Sequence, residues 1–95
     1  MKILLIEDEK ILRISLSKML QKAGYAVFPC ENGLKAIDIL EKEMFDLVLT
    51  DIRLPGKSGM DILKYIQKNY PNTKVILMTA FGSVESAVNA LKVGA

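Results

Sequence analysis

Ile3-Leu4-Leu5-Ile6-Glu7-Asp8 decides how the rest of this 95-residue chain is read. Four consecutive apolar residues with no apolar/polar alternation predict a short strand buried on both faces, and burial on both faces belongs to parallel sheets covered by helices. Two acids follow at once, at the strand's carboxyl end. Working outward, Leu12, Leu16, Met19, Leu20 and Ala23 fall at steps of three and four, defining one face of a helix that Gly24 is placed to end. Tyr25 to Cys30 reads as a weaker strand, and Pro29 suits it to a sheet edge, where a missing N–H does no harm. After the Asn32-Gly33 turn signal, Ile37, Leu40 and Met44 line a second helix, and Phe45-Asp46 leads into a third strand over Leu47 to Thr50. Ser58-x-x-Asp61 has the spacing of a capping box for a third helix, with Ile62, Leu63 and Ile66 facing inward and Pro71 just past its end. Val75 to Met78 is a fourth buried strand. Ser83 then caps a fourth helix whose Val84, Ala87, Val88 and Leu91 point inward, with Gly94 as the stop.

Four strand–helix units in succession mean an α/β domain: a parallel sheet with right-handed crossovers and helices on both faces. With the second strand at an edge, the flavodoxin-like doubly wound order 2-1-3-4 follows, placing strands one and three side by side at the topological switch point. Ligands bind such sheets at the carboxyl ends of the strands. The residues there are Glu7 and Asp8 after strand one, Asp51 after strand three and Thr79 after strand four.

Composition narrows the chemistry. The chain is 51% apolar and 25% charged, which fits one ordinary globular domain and excludes disordered, collagenous and disulfide-scaffold classes. A net charge of +2 is too slight to imply nucleic acid or a membrane as partner. There is no His, so the commonest general base and the commonest metal ligand are both missing. A lone Cys30 cannot form an internal disulfide and points to an intracellular setting; Met19, Met44, Met60 and Met78 read as packing residues, and Cys30 as a small hydrophobe. The first residues make no signal peptide, and no apolar run approaches the roughly 20 residues of a membrane-spanning helix.

Three carboxylates and a hydroxyl therefore converge at one end of the predicted sheet. Like charges about 4 Å apart repel by about 4 kcal/mol at an effective dielectric near 20, so the acids need a cation or must take up protons. A hard divalent ion answers this, and Mg²⁺ suits all-oxygen ligands where Zn²⁺ would want His or Cys. Asp51 ends a buried strand and precedes Ile52-Arg53-Leu54-Pro55-Gly56-Lys57-Ser58-Gly59, a loop whose Pro and glycines fix a turn open to solvent. A carboxylate held there can act as nucleophile on a phosphoryl group, giving an acyl phosphate.

These features resemble the receiver domain of bacterial two-component response regulators: the acidic pair Glu7-Asp8, Asp51 in Asp-x-x-Leu-Pro-x-x-x-Gly, and Thr79-Ala80, in that family's order over essentially residues 1–95. The stretch from Met78 to Ala95 is similar to receivers of NtrC-like transcription activators. The resemblance implies a cytoplasmic phosphoacceptor domain, a switch that catalyses only its own phosphorylation and dephosphorylation. Asp51 would take phosphate from a sensor histidine kinase, with Asp8 and Asp51 as Mg²⁺ ligands, Glu7 acting chiefly through an ordered water and the Arg53 carbonyl completing the shell. Thr79 would be the switch hydroxyl, and the readout would reach an output domain or partner protein that regulates transcription. Members of the family continue into a fifth strand and helix carrying a Lys-Pro, which these residues do not include. The expectation is therefore a receiver lacking its fifth βα unit, whose fourth strand is an open edge able to pair with another copy.

Plainer explanations exist for each residue alone. Asp8 can be the N-cap of the first helix, Asp51 an Asx-turn residue and Thr79 a turn hydroxyl. Their placement at the ends of strands that the fold makes neighbours is what favours a site. Two other functions remain open from the residues: a haloacid-dehalogenase-like phosphohydrolase, which would need Asp-x-Asp where this chain has Glu7-Asp8-Glu9, and a flavodoxin-like binding module without phosphotransfer. The latter lacks a phosphate loop after strand one.

Overall fold

The computed structural model describes residues 1–52, 54 and 57–78. Within them the elements run β1 (Lys2–Ile6), α1 (Lys10–Lys22), β2 (Ala26–Cys30), α2 (Gly33–Lys42), β3 (Leu47–Asp51), α3 (Gly59–Asn69) and β4 (Lys74–Met78). All pairings are parallel and the sheet order is β2-β1-β3-β4. This is the flavodoxin-like α/β order expected from the alternation of apolar runs and helical stretches. The fourth helix, its Ser83 cap, Thr79 and Arg53 lie outside the described residues.

Side chains alternate across a strand, and β1 and β3 use both faces fully. Leu4, Ile6 and Val48 face one side, where Ala36 and Leu40 of α2 and Ile62 and Ile66 of α3 close over them. Ile3, Leu5, Leu47 and Leu49 face the other, against Leu16 and Leu20 of α1. The unbroken apolar runs of the central strands are the direct consequence. Pro29 sits on β2 at the sheet edge, aligned with Leu5.

Local signals set the helix ends. Gly24 stops α1 at φ +98°, a left-handed conformation that glycine adopts without a Cβ clash. Ser58 and Asp61 form the reciprocal capping box, each side chain accepting from the other residue's backbone N–H. Asn32, expected within a turn, is the N-cap of α2 and accepts from Lys35 N at 2.9 Å.

Some packing expectations fail. Met44 is 84% exposed, Met19 and Met60 are exposed at 42% and 43%, and Ala23 is also outside the core. Each lies at the edge of its helix's apolar stripe or beyond its end, where helical spacing is still satisfied but, among the described residues, no neighbour covers the side chain. Met78 and Leu63 are half-buried. Cys30 packs in the core, and burial pushes its thiol up to about 11, so it behaves as a small apolar residue.

The candidate acidic site

Parallel polarity carries Glu7 and Asp8, immediately after β1, to the same end of the sheet as Asp51, the last residue of the adjacent β3. One carboxylate oxygen from each of the three lies within 4.8 Å of the others. Glu7 and Asp51 are 1% and 5% exposed while Asp8 faces solvent, so the cluster has a buried floor and an open lip. The Glu7 carboxyl is pushed up to about 7: burial is the main cause, the bond from the Glu9 N–H works against it, and contact with Asp8 and the charge of Asp51 add to the rise. A site that makes a carboxyl hold its proton to neutral pH is one where a cation can take the proton's place. The donors are all oxygens, the chain has no His, and the buried Cys30 thiol is not one of the three converging groups, so the set fits Mg²⁺ rather than Zn²⁺.

The turn that carries the acid pair is tied at several points. Glu9, not Asp8, caps α1: its Oε1 and Oε2 accept from Ile11 N at 3.1 Å and Leu12 N at 2.7 Å. A carboxylate one residue further along reaches the first-turn N–H groups, which leaves the Asp8 carboxylate to the cluster. Glu9 is correspondingly absent from the group of three, so the acid pattern that a haloacid-dehalogenase-like site needs is not assembled. The Glu9 N–H donates to Glu7 Oε2 at 3.2 Å. From one turn into α1, Arg13 Nη1 donates to the Glu7 carbonyl at 2.9 Å and the Asp8 carbonyl at 3.4 Å.

Asp51 is set from the other side. Its neighbour Thr50 is fully buried and donates to the Asp51 carbonyl at 3.0 Å. Gly59, the last residue of Asp-x-x-Leu-Pro-x-x-x-Gly, opens α3 directly against this strand end. A Cβ there would lie 2.3 Å from the Asp51 carbonyl oxygen and 2.8 Å from Ile52 Cα. The glycine in the motif is thus a close-approach residue, and the Gly59 N–H donates to the Ile52 carbonyl at 2.9 Å.

Of the residues expected to act here, Glu7, Asp8 and Asp51 come together; Arg53 and Thr79 lie outside the described residues. Arg13 was not anticipated. Its signal was available, because a side chain four residues into a helix leans back toward the N-terminus and so over the turn that precedes it.

Known proteins of similar sequence and fold point to one family. Sporulation initiation phosphotransferase F of Bacillus subtilis is 42% identical over 94 residues, covering 99% of this chain and 76% of its own length. Response regulator protein PilR of Pseudomonas aeruginosa is also 42% identical over 94 residues, but the chain spans only 21% of it; NtrC of Escherichia coli is a further relative. Among solved structures, response regulator TrrA of Thermotoga maritima, in complex with Mg²⁺-BeF, superposes with a TM-score of 0.81 at 34% identity, covering 95% of this chain and 78% of that one. These likenesses favour neither a phosphohydrolase nor a flavodoxin-like cofactor binder. The response regulator receiver domain matches residues 3–95, and the chain belongs to that family, the receivers of two-component systems.

Proposed function

We propose that residues 1–95 act as a phosphoacceptor receiver domain, with Asp51 as the acceptor. The observation that carries this reading is the convergence of Glu7, Asp8 and Asp51, from two separate strand ends, to within 4.8 Å. An oxygen of the Asp51 carboxylate attacks phosphorus, and the P–N bond to the donor imidazole breaks, leaving its electron pair on nitrogen and an acyl phosphate on Asp51. These 95 residues contain no His, so the phosphohistidine comes from outside them, in this reading from a sensor histidine kinase.

Asp8 and Asp51 would hold Mg²⁺ through their side chains, with Glu7 acting chiefly through water and Arg53 through its carbonyl. When bound, the ion neutralises charge on the carboxylates and on the phosphoryl oxygens. The chain's own part is positional: β3 and α3 fix Asp51 from below, and the tied β1–α1 turn fixes the pair opposite. Thr79, one residue past β4, would supply the hydroxyl that turns toward the phosphate and carries the signal to an output domain or partner in the cytoplasm. The likeness to PilR and NtrC supports a role in transcription regulation. Self-association through β4, the outer strand among the described residues, belongs to the same proposal.

Phos-tag electrophoresis after treatment with acetyl phosphate and Mg²⁺ tests the acceptor. The wild-type protein should give a retarded band that the Asp51→Asn variant lacks. Equal labelling of both would remove Asp51 from the role.

A further inference from the structure

We infer that Arg13 is a positioning residue for the acidic site: it places the Glu7-Asp8 pair by holding their main-chain carbonyls, and so sets how well the three carboxylates receive a divalent cation. The inference rests on the reading of the site given above.

An arginine bonded to the turn that carries two of the three carboxylates would ordinarily be their neutraliser. Its planar fork matches a carboxylate bidentately, and such pairs are strong. Arg13 does otherwise. Among the described residues, its side-chain hydrogen bonds go to the carbonyl oxygens of Glu7 and Asp8, at 2.9 and 3.4 Å, and it forms no ion pair with either carboxylate. A guanidinium spent in this way leaves the carboxylate oxygens to the cluster while fixing the peptide units that carry them.

The remaining ties make Arg13 the one that reaches across the whole turn. The Glu9 N–H orients the Glu7 carboxylate, and the Glu9 carboxylate anchors the start of α1. Asp8 lies between these two points with an exposed side chain, and the Arg13 bond is its main-chain link to the helix. Arg13 is itself half-buried, and its backbone N–H donates to the Glu9 carbonyl at 2.9 Å, so the guanidinium projects from an ordered helical turn.

The sign of the effect separates positioning from charge. Removing a cation next to an anionic site should tighten binding of a second cation if Arg13 acts only through its field. Loosening the turn should weaken it. In the full-length protein, Mg²⁺ affinity is measured by titration for wild type, Arg13→Gln and Arg13→Lys. In parallel, amide chemical shifts and hydrogen exchange are followed without metal. Arg13→Gln is expected to lose about 10-fold in Mg²⁺ affinity, with shifted and faster-exchanging amides at Glu7, Asp8 and Glu9 and unchanged ones in β4. Arg13→Lys, which keeps the charge and one donor, should recover part of both.

Unchanged or tighter Mg²⁺ binding by Arg13→Gln would overturn the inference, as would unmoved amides at residues 7–9. If Arg13→Gln does not fold, Arg13→Lys decides: a loss smaller than in other variants is not needed, only weaker Mg²⁺ binding together with displaced amides at residues 7–9, and wild-type behaviour in both would overturn it. A wild-type protein that binds no Mg²⁺ would instead overturn the reading of the site, and the metal-free amide data alone would then decide for or against Arg13.

Discussion

Glu7 is an acid that the fold takes out of water at the end of a strand, and its consequence is a pH-dependent stability of unusual sign. In the unfolded chain an ordinary glutamate titrates near 4.5, and in the folded protein burial pushes Glu7 up to about 7. The native state therefore binds the proton more tightly. Its contribution is fully present below about pH 4.5 and is lost as pH rises through about 7. In a metal-chelating buffer, the thermal midpoint of wild type should fall across that window relative to Glu7→Gln, whose side chain cannot ionise; parallel profiles for the two proteins would show that Glu7 titrates normally. The acids themselves were legible in the sequence, since strand ends and parallel order sufficed to bring Glu7, Asp8 and Asp51 together. Which of two neighbouring acids caps α1 was not legible. Asp8 has the commoner capping side chain, and only the actual start of the helix at Lys10 gives the cap to Glu9.

At the scale of elements, the bounds of β1, β3 and β4 were read nearly to the residue, because their unbroken apolar runs have no alternation to blur the ends; β4, expected to be buried, is half-buried instead. The apolar stripes of the helices were less legible. Spacing put Met19 and Met44 on them, yet spacing alone does not say how far a neighbouring strand extends beneath a stripe, and both are exposed. The junction of β3 with α3 shows what a motif glycine can mean physically. Gly59 needs no special dihedral angle; it needs absence of a side chain where two backbones meet. Gly59→Ala should destabilise the domain by about 1–3 kcal/mol or more through overpacking, and should displace Asp51 with it. Denaturant unfolding gives the first quantity and the amide shift of Asp51 the second. A fully stable variant with an unmoved Asp51 amide would mean that α3 can retreat from the strand end without cost.

For the whole molecule, the two faces of the sheet are covered unequally among the described residues: α2 and α3 close one face over Leu4, Ile6 and Val48, and α1 alone closes the other over Ile3, Leu5, Leu47 and Leu49. Ile76 and Met78 of β4 are half-buried on the side of α1. If pairing through β4 operates, light scattering of the 95-residue chain should show a dimer that grows with concentration, and Lys74→Pro or a charge at Ile76 should abolish it. A monomer at every concentration would remove self-association from the proposal. The topology was readable from Pro29 and from the unbroken run of β1, whereas Thr79 and Arg53 remain assignments by sequence position.

The shared direction of all four strands also gives the molecule two unlike ends. Lys2 stands over the rings of Phe28 and Phe45, 4.9 Å from each centroid, and pairs with Glu43. Beside it, Met1, Asp46, Asn72 and Lys74 line a shallow groove. This is the end where the strands begin, and the acids are at the end where they finish. A support or fluorophore attached through Met1 would therefore hold the domain by its blunt end, presenting the acids outward to whatever is washed over the surface.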